Sequence, residues 1–157
     1  MMKKNLCCLL GLAALLLVGG SSSAVRAQSL SHPEQQPSLY KRLGGYDALA
    51  AVTDDFIKGL ATDKQLSRFF SGVSTDSQKR IRQLVLDELC AATGGPCVYI
   101  GRSMKTVHTG LGITEDDWNI AVKLLTGTLD KFKVGKAEQD DLLKILTSLK
   151  PDIVEKR

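Results

Sequence analysis

"GRSMKTVHTGLGIT", residues 101–114, carries His108, one of two histidines in a chain of 157 residues. The other, His32, lies in the polar, proline-bearing stretch "QSLSHPEQQP", residues 28–37. Met104, Val107 and His108 share a face at helical spacing, which predicts a short helix over 102–108. Gly110 and Gly112 stop it. The helix sits inside residues 94–114, a stretch with five glycines and little regular pattern. Such a stretch inside a compact domain is usually functional or disordered. This one reads as a device for presenting His108 inward.

The flanking segments are helical. Tyr46, Leu49, Val52, Phe56 and Leu60 recur at steps of three and four, which predicts a helix over 46–61. Over 76–92 the inward positions are Ile81, Leu84 or Val85, and Leu89. Trp118, Val122, Leu125, Leu129 and Phe132 mark a helix over 115–132. Thr114, with Asp117 three residues on, is the signature of a capping box at its start. Leu142, Leu146, Leu149 and Ile153 mark the last helix, 137–154, with Pro151 in its final turn. Short helices are expected at "SLYKRL" and before the pair Phe69–Phe70. No segment alternates apolar and polar residues as a half-buried strand would, so the fold class is all-α.

Residues 1–27 stand apart from this domain. "MMKKN" is basic, "LCCLLGLAALLLVGG" is apolar and "SSSAVRA" is small and polar, the three parts of a secretory signal peptide. Cleavage after Ala27 is expected, and with it export to the periplasm or the medium. An uncleaved anchor is the alternative, but the apolar run is short of the roughly 20 residues a bilayer span needs. Cys7 and Cys8 precede the apolar run, which argues against a lipoprotein. Removing the leader takes Lys3, Lys4 and Arg26 and lowers the net charge from +4 to +1. No basic face calls for a nucleic-acid partner, and no membrane insertion is expected after cleavage. Residues 28–37 form a flexible lead-in, and 38–157 are enough for one domain.

Cys90 and Cys97 remain after cleavage, on either side of "AATGGP". An oxidising compartment would permit a disulfide, and geometry decides whether it forms. The pair is a poor zinc signal, because its spacing is wide and His108 is the only imidazole nearby.

A single histidine cannot build a zinc site or a hydrolytic triad, and no nucleophile elbow is present. It is enough for haem, where the porphyrin supplies four nitrogens and one imidazole the fifth ligand, with the sixth position open to a gas. Such a pocket is apolar and aromatic, and Phe56, Phe69, Phe70, Met104, Val107 and Trp118 are candidates. Taken alone, the same residues fit an ordinary helical core.

Four motifs carry a resemblance: "LYKRLGG" at 39–45, "FF" at 69–70, "GGP" at 94–96 and "MKTVHTGLGI" at 104–113. Over about residues 38–154 the chain resembles the group I truncated haemoglobins, the short two-on-two globins. The resemblance implies helices 46–61 and 76–92 as one antiparallel pair over a second, 115–132 and 137–154. It implies haem b, one per chain, between the pairs. His108 matches the proximal iron ligand, Phe70 the aromatic that packs on haem after the second long helix, and Phe56 the pocket phenylalanine. Met104, Val107 and Trp118 fall at proximal haem contacts. A monomer that reversibly binds O2, NO or CO is expected.

The chain departs from the family on the distal side. Ile57 stands where members commonly have a tyrosine that donates to the ligand. The spacing from Phe70 to Gly94 is about three residues longer than in typical members, which leaves two registers. Counted from Phe70, Gln78 and Arg82 face the ligand, with Lys79 as a sixth-ligand candidate. Counted back from Gly94, Ile81 and Val85 do, and the helical period favours this apolar pair. Other readings are an exported haem carrier or redox protein, an NO dioxygenase or peroxidase supplied by an unknown reductase, and a cofactor-free helical interaction module.

Overall fold

The computed structural model describes residues 36–155. The leader expected at 1–27, His32 and the lead-in up to residue 35 lie outside the described residues. The helices are α1 (Leu39–Arg42), α2 (Gly45–Thr62), α3 (Thr75–Ala92), α4 (Met104–His108), α5 (Glu115–Lys131) and α6 (Lys136–Ile153), with a 3-10 turn at Leu66–Phe70. No β-strand occurs among the described residues. The four long helices fall within two residues of the bounds expected from periodicity.

Local sequence accounts for where each helix starts. Gly44 and Gly45 take φ values of 94° and 79°, which turns the chain from α1 into α2 without the cost a side chain would bring. Ser74 caps α3 by accepting from the Ser77 N–H at 3.2 Å. Thr114 and Asp117 form the expected capping box at α5. Gly135 precedes α6, and Pro151 is accommodated in its last turn.

Tyr46 meets Gln83, and Asp54 meets Arg82, while Ala61 borders one hollow with Gln78. α2 and α3 therefore run antiparallel. α5 and α6 form the second antiparallel pair: Gln139 donates to Asp130 at one end, and Lys150 pairs with Glu115 at the other. α2 crosses onto α5, where Leu124 fits beside Gly59. The core between the pairs is Leu49, Val52, Leu86, Leu89, Cys90, Leu125, Leu129 and Leu142. Each fully buried leucine contributes about 2 kcal/mol of transfer free energy. This is the two-over-two sandwich.

The inward face of α3 agrees with expectation at Leu89 and differs at Ile81, Leu84 and Val85. Leu86, Leu89 and Cys90 are the buried positions. Ile81, Leu84 and Val85 stand half-buried on the adjoining stripe. α3 thus carries two apolar faces, one filled by the helical core and one left partly open. Phe132, placed on the inward stripe of α5 by its spacing, is exposed where α5 ends.

Cys90 and Cys97 are joined, with Cα atoms 5.7 Å apart. The bridge ties the end of α3 to the loop that leads to α4. The loop crosses so close that a Cβ on Gly95 would lie 2.5 Å from the Tyr40 ring and 2.7 Å from Cys90 Sγ. The Gly95 N–H donates to Cys90 O at 2.8 Å.

Candidate functional site

α4 is one helical turn, far too short to be stable alone. Ser103 caps it by accepting from the Thr106 N–H at 3.3 Å, and its side lies against α6. His108, at its C-terminal end, is half-buried. Its Nδ1 lies 2.7 Å from Met104 O. A carbonyl only accepts, so Nδ1 carries a proton, and in the neutral ring the lone pair is on Nε2. The ring is thereby fixed in tautomer and in direction, the arrangement that a metal-binding histidine needs.

The other residues expected at the site are spread over α2, the 3-10 turn, α3, α4 and α5. Met104 and Trp118, expected at proximal contacts, are half-buried, and Lys150 lies 5.9 Å from the Trp118 ring centre. Val107 shares the helix with His108 but is 39% exposed. On α2, the 3-10 turn and α3, the residues Phe56, Ile57, Phe69, Phe70, Ile81 and Val85 are all half-buried. None belongs to the fully closed core. They are large apolar groups with free surface, which is what an inserted flat apolar ligand would cover.

The polar residues of the alternative register are committed elsewhere. Arg82 forms a two-pronged pair with Asp54, at 2.7 and 3.0 Å. That pair lowers the Asp54 carboxyl and raises the guanidinium. Gln78 is exposed and donates to Val73 O at 3.0 Å. Lys79 is exposed beside Asp76. Glu88 continues the stripe of Ile81, Leu84 and Val85 by one turn, and burial pushes its carboxyl up.

A buried acid joins the 3-10 turn to α5. Asp117 accepts from Gln65 at 2.7 Å, from Arg68 at 2.6 Å, and from the Thr114 N–H and hydroxyl at 2.9 Å each. These donors hold its carboxyl well below the usual carboxylate range, against the opposing effect of burial. The 3-10 turn that carries Phe69 and Phe70 is thus bound to the start of α5, which carries Trp118. Sequence placed Asp117 only as a cap, because its donors from the turn lie about 50 residues away. The open hollow between α2 and α5, about 510 Å³ and bordered by Asp55, Gly59, Leu124 and Gly127, contains none of the expected site residues.

Among the described residues no group of three or more His, Cys, Asp or Glu is placed to hold a bare metal ion. A single free imidazole nitrogen, in a domain whose expected pocket residues are half-buried aromatic and aliphatic groups, fits haem, whose ring brings its own four ligands. A helical sandwich with one oriented imidazole and an apolar, unfilled flank is a globin-like architecture.

The sequence profile of the bacterial-like globin family matches residues 38–155. A group 1 truncated haemoglobin of Mycolicibacterium paratuberculosis is 34% identical over 116 residues, covering 74% of this chain and 83% of the relative. One from Nostoc sp. is 31% identical over 119 residues, covering 76% and 98%. The solved 2/2 haemoglobin of Synechococcus sp., described in the cyanomet state with covalently attached haem, superposes with a TM-score of 0.68 at 26% identity, over 75% of this chain and 98% of that one. The Fe(III) truncated haemoglobin of Tetrahymena pyriformis shares the fold at a TM-score of 0.71 and 24% identity, over 76% and 100%. The chain belongs to the bacterial-like globins and, among them, to the group 1 truncated haemoglobins, a family of haem-binding globins.

Proposed function

We propose that the chain holds one haem b through Nε2 of His108 and reversibly binds a diatomic gas in an apolar distal pocket. The observation that carries this is the Nδ1–H bond to Met104 O, which leaves Nε2 as the free ligand nitrogen. Haem would supply an iron with five positions filled and the sixth open to O2, NO or CO. The chain's own part is to hold that iron, exclude water and set the polarity around the ligand.

Met104 and Trp118 support the proximal side of the ring, with Val107 at its margin. Phe56, Ile57, Phe70, Ile81 and Val85 line the distal side, with Phe69 at the edge. Ile57, Ile81 and Val85 offer no hydrogen-bond donor. Arg82 and Gln78, the nearest alternatives in sequence, already donate to Asp54 and to Val73 O. A hydrogen bond in a dry site contributes about 1 kcal/mol or more, so its lack favours neutral ligands over one that gains negative charge. Fast O2 release and ready oxidation of the iron follow. Residues 1–27 act as a leader for export, and the Cys90–Cys97 bridge suits an oxidising compartment. The exported domain works as a monomer and takes electrons from a separate reductase.

Flash photolysis with O2 and CO tests the pocket. Fast O2 release, unchanged in Gln78→Leu and Arg82→Leu, is the expected result. Slow release that either substitution abolishes would overturn the apolar assignment.

A further inference from the structure

The turn after α4 is held from the far end of the chain. Gly110 and Gly112 take φ values of 87° and 67°. Their N–H groups donate to the two carboxylate oxygens of Glu155, one to each. The Glu155 N–H returns a bond to Ile113 O at 2.9 Å. Converging backbone N–H groups of this kind form an anion-binding nest. Here the anion is a side chain of the same molecule, two residues beyond the end of α6.

We propose that Glu155 is a positioning residue for His108, and the inference rests on His108 being the iron ligand. α4 has only five residues, and the glycines that follow bring the greatest backbone freedom of any residue. The Ser103 cap restrains its start. Its end, where His108 sits, leads straight into the glycine turn. Glu155 removes that freedom by fixing Gly110 and Gly112 together, and it does so from the exit of the helix against which α4 lies. The imidazole therefore meets the iron in one orientation instead of several.

The test uses the full-length haem-loaded protein and the variants Glu155→Ala, Glu155→Gln and Asp140→Ala. The last breaks only the exposed Lys136–Asp140 pair at the other end of α6. The readouts are the iron–histidine stretching band of the ferrous protein and the rate of haem loss to a scavenging apoglobin. Glu155→Ala is expected to broaden the band and to speed haem loss about three- to tenfold, the worth of one to two such bonds at the surface. Glu155→Gln keeps one accepting oxygen and falls between. Asp140→Ala matches wild type. If Glu155→Ala does not fold, Glu155→Gln decides by the same two readouts. An unchanged band and unchanged haem loss, with intact helicity, overturn the positioning role. Absence of an iron–histidine band in the wild type overturns the His108 assignment itself.

Discussion

Asp117→Ala is the substitution that most reaches across the fold. It removes a buried acceptor from Gln65, Arg68 and both donors of Thr114. Arg68 is 47% exposed, and Gln65 is exposed as well, so both regain water and lose only about 0.5 kcal/mol each. The two bonds that Thr114 donates to the carboxylate are worth about 1 kcal/mol together. The acid at the helix N-terminus adds about 0.5 kcal/mol. The total is about 2.5 kcal/mol, and for a domain of this length that is about 10 °C in Tm. Thermal unfolding by far-ultraviolet circular dichroism, at equal haem content for every variant, reads the change. Haem loss should quicken as well, because the turn bearing Phe70 is freed from α5. Arg68→Ala should cost under 1 kcal/mol. If Arg68→Ala costs as much as Asp117→Ala, or if Asp117→Ala leaves Tm unchanged, the residue does not act as the junction described. The pH dependence follows from the lowered carboxyl. Its contribution is complete above the unfolded value of about 3.9 and is lost as pH falls toward the folded one. The gap between wild type and Asp117→Asn should therefore narrow below about pH 4.

Removing the Cys90–Cys97 bridge opens a short loop, with a sequence separation of 7. The double alanine variant should lose about 2.5 kcal/mol in urea unfolding, and a loss near zero would show that the loop is held by other means. Thr53 is fully buried, and its hydroxyl has no hydrogen-bond partner among the described residues. Thr53→Val keeps the shape and should raise stability by about 1 kcal/mol; a loss would reveal a partner for that hydroxyl.

Helices α2, α5 and α6 were legible in the sequence because each carries one dominant apolar stripe. Thr114 and Asp117 marked the start of α5 to the residue, since a capping box is read within four positions. α3 was harder. Ile81, Leu84, Val85, Leu86 and Leu89 spread apolar character over too wide an arc for periodicity to choose a face. The fold uses both halves of that arc, with Leu86 and Leu89 buried and Ile81 and Val85 left half-open. His108 was legible as an isolated imidazole, and its role came from the motif around it. The roles of Asp117 and Glu155 were not legible. Each joins partners 43 to 52 residues apart, and no local pattern encodes such a contact.

The central claim is that His108 is the single protein ligand of a haem. Its most direct measurement is the absorption spectrum of the protein made with haem available, compared with His108→Gly with and without added imidazole. A Soret band in the wild type is predicted, weakened and shifted in His108→Gly and restored by imidazole. A wild type without a Soret band, or a His108→Gly spectrum identical to the wild type's, would contradict the account.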